Sequence, residues 1–266
     1  MPAPLHFMTI ADLAKGIAAR TVSPVELTKA LIARVAALDG MTHAFIEVTA
    51  DLALAQAKKA EAEVMAGISR GPLHGVPVGL KDIIDLKGVR TTAHSHQLID
   101  NWATDDAFVT QKLKAAGAVI LGKTDTTEYA AAGRNAATGN PHDIRHSSGG
   151  SSAGSAASVA DFHVPLSIGT QTGGSTIRPA SFCGTYAFKP TFGLVSREGF
   201  KIYANTLDTV GWYGRSVADL QLLADVFGLI ESIRPAPAAG PMRIAASLGP
   251  YAGRLRPASR LAMELT

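Results

Sequence analysis

The stretch VPLSIGTQTGGSTIRPA, residues 164–180, decides how this chain is read. Its first part, 164–172, is apolar enough to be a buried strand. Gly173, Gly174 and Ser175 then form a turn, and a short helix is predicted over 175–180. Paired glycines permit both the turn and a close approach of another molecule. The free N–H groups of such a turn can face a developing negative charge without side chains in the way.

The same alternation extends outward in both directions. On the N-terminal side, RHSSGGSSAGSAASVA (145–160) reads as a tight loop feeding a helix from about Ser155. Before it, AVIL (118–121) reads as a buried strand, preceded by a helix over 105–116 that Gly117 closes. GVPVGLKDII (75–84) reads as a strand leading into a loop. Residues 50–66 predict a helix, and 23–40 predict another. In the latter Ser23 is the N-cap, Pro24 fits N1, Glu26 completes a capping box and Gly40 can end the helix. On the C-terminal side, 216–229 predict a helix started by Ser216 and Asp219, MRIAAS (242–247) a strand, and PASRLAMELT a further helix. RPAPAAGP (234–241) is the nearest thing to a linker. Strands alternating with helices imply an α/β layered fold.

Composition narrows the function classes. Of the 266 residues, 47% are hydrophobic and 18% charged, which is ample material for a core. The net charge of +3 comes without a basic run interleaved with aromatics, so direct nucleic-acid binding is not expected. A single cysteine, Cys183, excludes a disulfide within the chain and points to a reducing, cytoplasmic setting. The N-terminal residues lack a signal-peptide pattern, and no apolar run approaches the roughly 20 residues that span a bilayer. The histidines show no metal-ligand spacing; His94 and His96 come nearest and read as a polar loop. Neither a metal nor an organic cofactor is expected.

Two motifs match catalytic or binding patterns by letter and fail by context. Gly117–Thr124 reads GAVILGKT, a P-loop spelling, but its middle residues want to be the strand itself rather than an open phosphate loop after one. Gly150–Gly154 reads GSSAG, a nucleophile-elbow spelling, but the elbow needs a strand immediately before it, and HDIRHSSG is polar and not strand-like.

Several stretches, taken in order, carry a resemblance. They are PVGLKDIIDLKGVRTTAHS (77–95), DDAFVTQKLKAAGAVILGKTDTTEY (105–129), SSGGSSAGSAASVA (147–160), GTQTGGSTIRPASFCGTYAFKPTFGLVSREG (169–199) and NTLDTVGWYGRSVADLQLL (205–223). Together they resemble the amidase signature family, whose serine amidases use a Ser-Ser-Lys arrangement. The resemblance implies a mixed β-sheet core flanked by helices on both sides. It places the family's base on Lys81, its bridging serine, in a cis peptide, on Ser151, and its nucleophile on Ser175. The oxyanion donors would be the backbone of Thr172, Gly173 and Gly174 up to Ser175, with Ser152 and Thr170 steadying the lysine and the relay.

The chemistry of these residue types agrees with that assignment. A serine hydroxyl is a poor nucleophile until a base takes its proton. A lysine serves as that base only when neutral, and burial disfavours its charged form. Moving its pKa from about 10.4 to about 7.5 corresponds to roughly 4 kcal/mol. Val78, Leu80, Ile83 and Ile84 can supply the dry surroundings, and strand alternation should turn Asp82 away from Lys81.

Two departures stand out: Gln171 replaces a common acidic residue, and Arg178 follows Ser175 by three positions rather than two. Family members are generally much longer, so the resemblance implies a single amidase domain with a helical segment over about 1–70 and a catalytic core over about 71–266. That core is expected to be incomplete at its C-terminus, with an exposed edge that favours association, such as a homodimer. The expected reaction is hydrolysis of a small-molecule carboxamide through a seryl acyl-enzyme. The alternatives are a glutamine-hydrolysing subunit of a tRNA-dependent amidotransferase and an inactive truncated fragment.

Overall fold

The structure, a computed structural model, describes residues 4–131, 133–229, 250 and 252–264. The segments 234–241 and 242–247, read above as a linker and a strand, lie outside the described residues. The chain forms two compact units, Met1–Glu231 and Ser232–Thr266. In the second, the expected C-terminal helix is present as Pro257–Glu264.

The first unit begins with α1 (Ile10–Ala18) and α2 (Pro24–Thr42). Ser23 Oγ accepts from the N–H of Glu26 at 3.1 Å, but the Glu26 carboxylate turns to Lys29 at 2.8 Å, so only half of the capping box forms. The helix also runs past Gly40. Its end is set by His43 in the left-handed region and by Asp39, whose carboxylate accepts from the N–H groups of Ala44 and Phe45.

There follow β1 (Phe45–Val48), α3 (Ala50–Met65), β2 (Pro77–Lys81), α4 (Phe108–Ala115) and β3 (Val119–Thr124). A hairpin of β4 (Gly139–Asn140) and β5 (Asp143–Ser147) leads to α5 (Ala153–Ala160) and β6 (Leu166–Gln171). The unit closes with α6 (Ile177–Cys183), β7 (Tyr186–Phe188), β8 (Thr209–Gly214) and α7 (Val217–Val226). Ser216 caps α7 through the N–H of Asp219, as its sequence predicts.

Six strands form one mixed sheet in the order β1-β3-β2-β6-β8-β7. β2 runs parallel to β3 and β6, and the remaining pairs are antiparallel. Every residue of β2, β3, β6 and β8 is buried. Successive side chains on a strand point to opposite faces, so both faces of the sheet centre are covered. Helices supply that cover: α5 packs across β2, β3, β6 and β8, α3 and α4 pack on β3, and α7 packs on β8. The expected α/β fold, a mixed sheet with helices on both sides, is therefore present.

A further expectation is overturned. Asp143–Ser147, read as too polar for a strand, is β5, paired antiparallel with β4. The hairpin lies on the surface, so no buried face imposes the apolar alternation by which strands are recognised.

The P-loop spelling resolves as expected into the buried strand β3. The Lys123 amine lies inside, 2.9 Å from Asp82 Oδ1, and donates to Arg90 O and Thr91 Oγ1. Gly122 is required by packing: a Cβ there would come within 2.3 Å of Glu47 O on β1.

Candidate active site

Lys81 ends β2, in the middle of the sheet, where its side chain has no exposed surface. Its Nζ donates to Ser151 Oγ at 2.7 Å and to Thr170 Oγ1 at 2.9 Å. Burial pushes its pKa down to about 7, and the negative charge of Asp208 acts in the opposite direction. An amine near neutrality in a dry, hydroxyl-lined site can take and return protons at ordinary pH. Asp82 points away, as strand alternation predicts, to Lys123 and to Thr92 Oγ1 at 2.5 Å.

Ser151 is 3% exposed and follows a cis peptide bond from Gly150. Its carbonyl accepts from the N–H of Thr127, and Arg178 donates to Gly150 O through Nε at 2.9 Å and Nη2 at 2.6 Å. Arg178 thus grips the peptide that carries Ser151. Ser152 sits at the start of α5 rather than on an elbow. Its Oγ donates to Thr170 O and accepts from Thr170 N, so it fixes the backbone of the residue whose hydroxyl meets Lys81.

Ser175 follows the Gly173–Gly174 turn and is 8% exposed. Its carbonyl accepts from Tyr213 OH at 3.2 Å and from the N–H of Ser152 at 3.3 Å. Gln171 shapes the turn from within. Its Oε1 accepts from the N–H groups of Thr176 and Ile177, and its Nε2 donates to Gly173 O. An amide can do both, whereas the acid it replaces could only accept. Thr172 Oγ1 donates to Asp208 Oδ1 at 2.5 Å.

These pieces meet at one cleft of about 560 Å³. Ser151, Thr172, Gly173, Gly174 and Ser175 all line it, while Lys81 lies beneath, reached through Ser151. Thr127, Asn135, Ser147, Arg178, Phe182 and Tyr203 form the rest of the polar and aromatic wall. Sequence reasoning missed Asp208, Tyr203 and Tyr213. Asp208 and Tyr213 lie in a stretch that carried the resemblance, and Tyr203 lies between two such stretches. The antiparallel pairing of β6 with β8 brings Asp208 and Tyr213 to the turn at Ser175, and Asp208 holds the backbone of Tyr203. Among the described residues no group of three or more His, Cys, Asp or Glu side chains could hold a metal ion.

Comparison with known proteins bears on this arrangement. A family model described as Amidase matches residues 26–236. A glutamyl-tRNA(Gln) amidotransferase subunit from Thermobifida fusca (strain YX) is 45% identical over 226 residues, covering 83% of this chain and 45% of the relative. The solved peptide amidase of Stenotrophomonas maltophilia superposes with a TM-score of 0.78 at 36% identity, covering 89% of this chain and 52% of its own. A fatty acid amide hydrolase superposes with a TM-score of 0.78 at 28% identity, covering 94% and 46%. The chain spans about half the length of the curated relatives it matches. With a match over most of its length and this fold, the chain belongs to the amidase family.

Proposed function

We propose that this chain hydrolyses carboxamides by serine catalysis, with Ser175 as nucleophile, Ser151 as relay and Lys81 as base. The observation that carries the reading is the buried Lys81 amine, with a pKa of about 7, held 2.7 Å from Ser151 Oγ beneath a cleft that Ser175 also lines. Ser175 Oγ attacks the amide carbonyl carbon while its proton moves through Ser151 to neutral Lys81. The backbone N–H groups from Thr172 to Ser175 receive the developing oxyanion. The C–N bond then breaks, and the proton held by Lys81 returns through Ser151 to the departing nitrogen, which leaves as ammonia or an amine. Water attacks the resulting ester by the same proton route and frees Ser175.

The test is turnover of a panel of primary and secondary amides by the chain and by S175A. Loss of all turnover and of covalent labelling by a fluorophosphonate in S175A is expected; unchanged turnover would sink the assignment. The rate should fall as pH drops through about 7, where Lys81 takes a proton and can no longer act as base.

A narrower reading, a glutamine-hydrolysing subunit that passes ammonia to partner subunits, rests on the likeness to the amidotransferase relatives. Among the described residues that line the cleft none singles out glutamine, so the broader hydrolase reading is the conclusion. Glutaminase activity that appears only with companion subunits would favour the narrower one.

A further inference from the structure

Asp208 is a buried acid that the proposed proton route does not use. It lies just before β8, is 3% exposed, and accepts three hydrogen bonds. Thr172 Oγ1 donates to Oδ1 at 2.5 Å, and the N–H groups of Tyr203 and Ala204 donate to Oδ2 at 2.6 and 2.9 Å. Thr172 and Tyr203 both line the cleft, the first on the turn that leads to Ser175, the second on the strap 203–208. The strap is itself a closed turn, with the N–H groups of Leu207 and Asp208 bonded to Ala204 O. One carboxylate therefore ties the turn before Ser175 to a separate wall of the cleft.

We propose, on the basis of the amidase reading above, that Asp208 is a positioning residue for the reaction: its carboxylate clamps the Thr172–Ser175 turn to the Tyr203 strap. Three hydrogen bonds carry the clamp, and the negative charge of Asp208 also favours the protonated form of Lys81. The other ionisable groups nearby are engaged elsewhere. Asp82 faces Lys123, and Asp125 holds His94. Arg178 grips Gly150 O, Arg197 donates to the carbonyls of Asn205 and Asp208, and Tyr213 OH donates to Ser175 O. The Asp208 carboxylate is bonded to Thr172 and the strap, while the Lys81 amine donates to Ser151 and Thr170.

Two variants of the full chain separate the clamp from the charge. D208N keeps the size and removes the charge; T172V removes one leg of the clamp and keeps the charge. The readouts are the pH dependence of Ser175 labelling by a fluorophosphonate and the titration midpoint of Lys81 followed by 13C NMR of ε-labelled lysine. D208N should slow labelling by roughly 10- to 100-fold and lower both midpoints by about half a pH unit or more. T172V should slow labelling and leave both midpoints in place. A folded D208N or T172V that is labelled at the wild-type rate overturns the proposal. If D208N does not fold, D208E takes its place: it must slow labelling while holding the wild-type midpoints, and a normal labelling rate overturns the clamp. If Ser175 is never labelled yet the Lys81 midpoint falls in D208N, the amidase reading fails while the electrostatic link between Asp208 and Lys81 stands.

Discussion

Lys81 has no exposed surface, and burial brings its pKa from 10.5 to about 7. The unfolded chain keeps the ammonium up to about pH 10.5, whereas the folded chain releases the proton near 7. The folded state is therefore penalised progressively as pH falls from 10.5 to 7, and the penalty is constant below that. At pH 7 it amounts to about 4 kcal/mol, less what the bonds to Ser151 and Thr170 return. K81M should abolish turnover and yet raise stability at pH 7 by about 1–3 kcal/mol, after roughly 1–3 kcal/mol for the two hydroxyls left without that partner. At pH 10 the gain should vanish or reverse, because wild-type Lys81 is then neutral in the fold. Urea unfolding at the two pH values checks this, and a difference between K81M and wild type that does not move with pH would refute it. The need for a buried lysine was readable from the residue types around Lys81. The contacts of Asp208 and Arg178 were not, because each joins segments that are distant in the chain.

At the scale of elements, α5 shows why the stretch around Ser151 is so rich in small residues. A Cβ on Gly154 would stand 2.2 Å from Ala44 O and 2.4 Å from Asp125 N, both fixed backbone. The N–H of Gly154 also donates to Asp125 O at 3.0 Å, so the helix start is pressed against the end of β3. In an exposed helix, replacing Gly by Ala stabilises by about 1 kcal/mol. Here the sign reverses: G154A should destabilise by about 2 kcal/mol or more, since α5 must lift off the sheet. The lift would move Ser151 as well, so turnover should fall with stability; a G154A chain of wild-type melting temperature would contradict this packing. Buried strands such as β3 and β6 were legible because they are short apolar runs with glycine at their ends. The start of α5 was placed two residues late, as Ala153 and Gly154 read as loop. β5 was missed because no buried face marks it, β7 and β8 stood out only as parts of longer matching stretches, and β1 was not read at all.

At the scale of the whole molecule, one central sheet serves both stability and chemistry. Its middle strands carry Lys81 and Thr170, the turn after β6 carries Ser175, the loop between β5 and α5 carries Ser151, and the segment before β8 carries Asp208. The fold class followed from strand–helix alternation, but the strand order did not, since pairing of β8 between β6 and β7 is a tertiary fact. The layers are also tied together at the surface. Glu63 of α3 accepts from Arg70 Nε and Nη2 at 2.6 and 2.7 Å and meets His74 Nε2 at 3.0 Å, which pins α3 to the chain entering β2. The Arg70 guanidinium, first, and His74 hold the Glu63 carboxyl down at about 2, from an ordinary 4.5. A depressed carboxyl contributes stability that is fully present above about pH 4.5 and lost as pH falls toward 2. Arg70 is 36% exposed, so solvent screening reduces the contribution to about 1 kcal/mol. E63Q should therefore unfold at lower urea at pH 7 and lose less stability than wild type between pH 5 and pH 2.5. Parallel acid limbs for the two chains would show that Glu63 does not hold this seam.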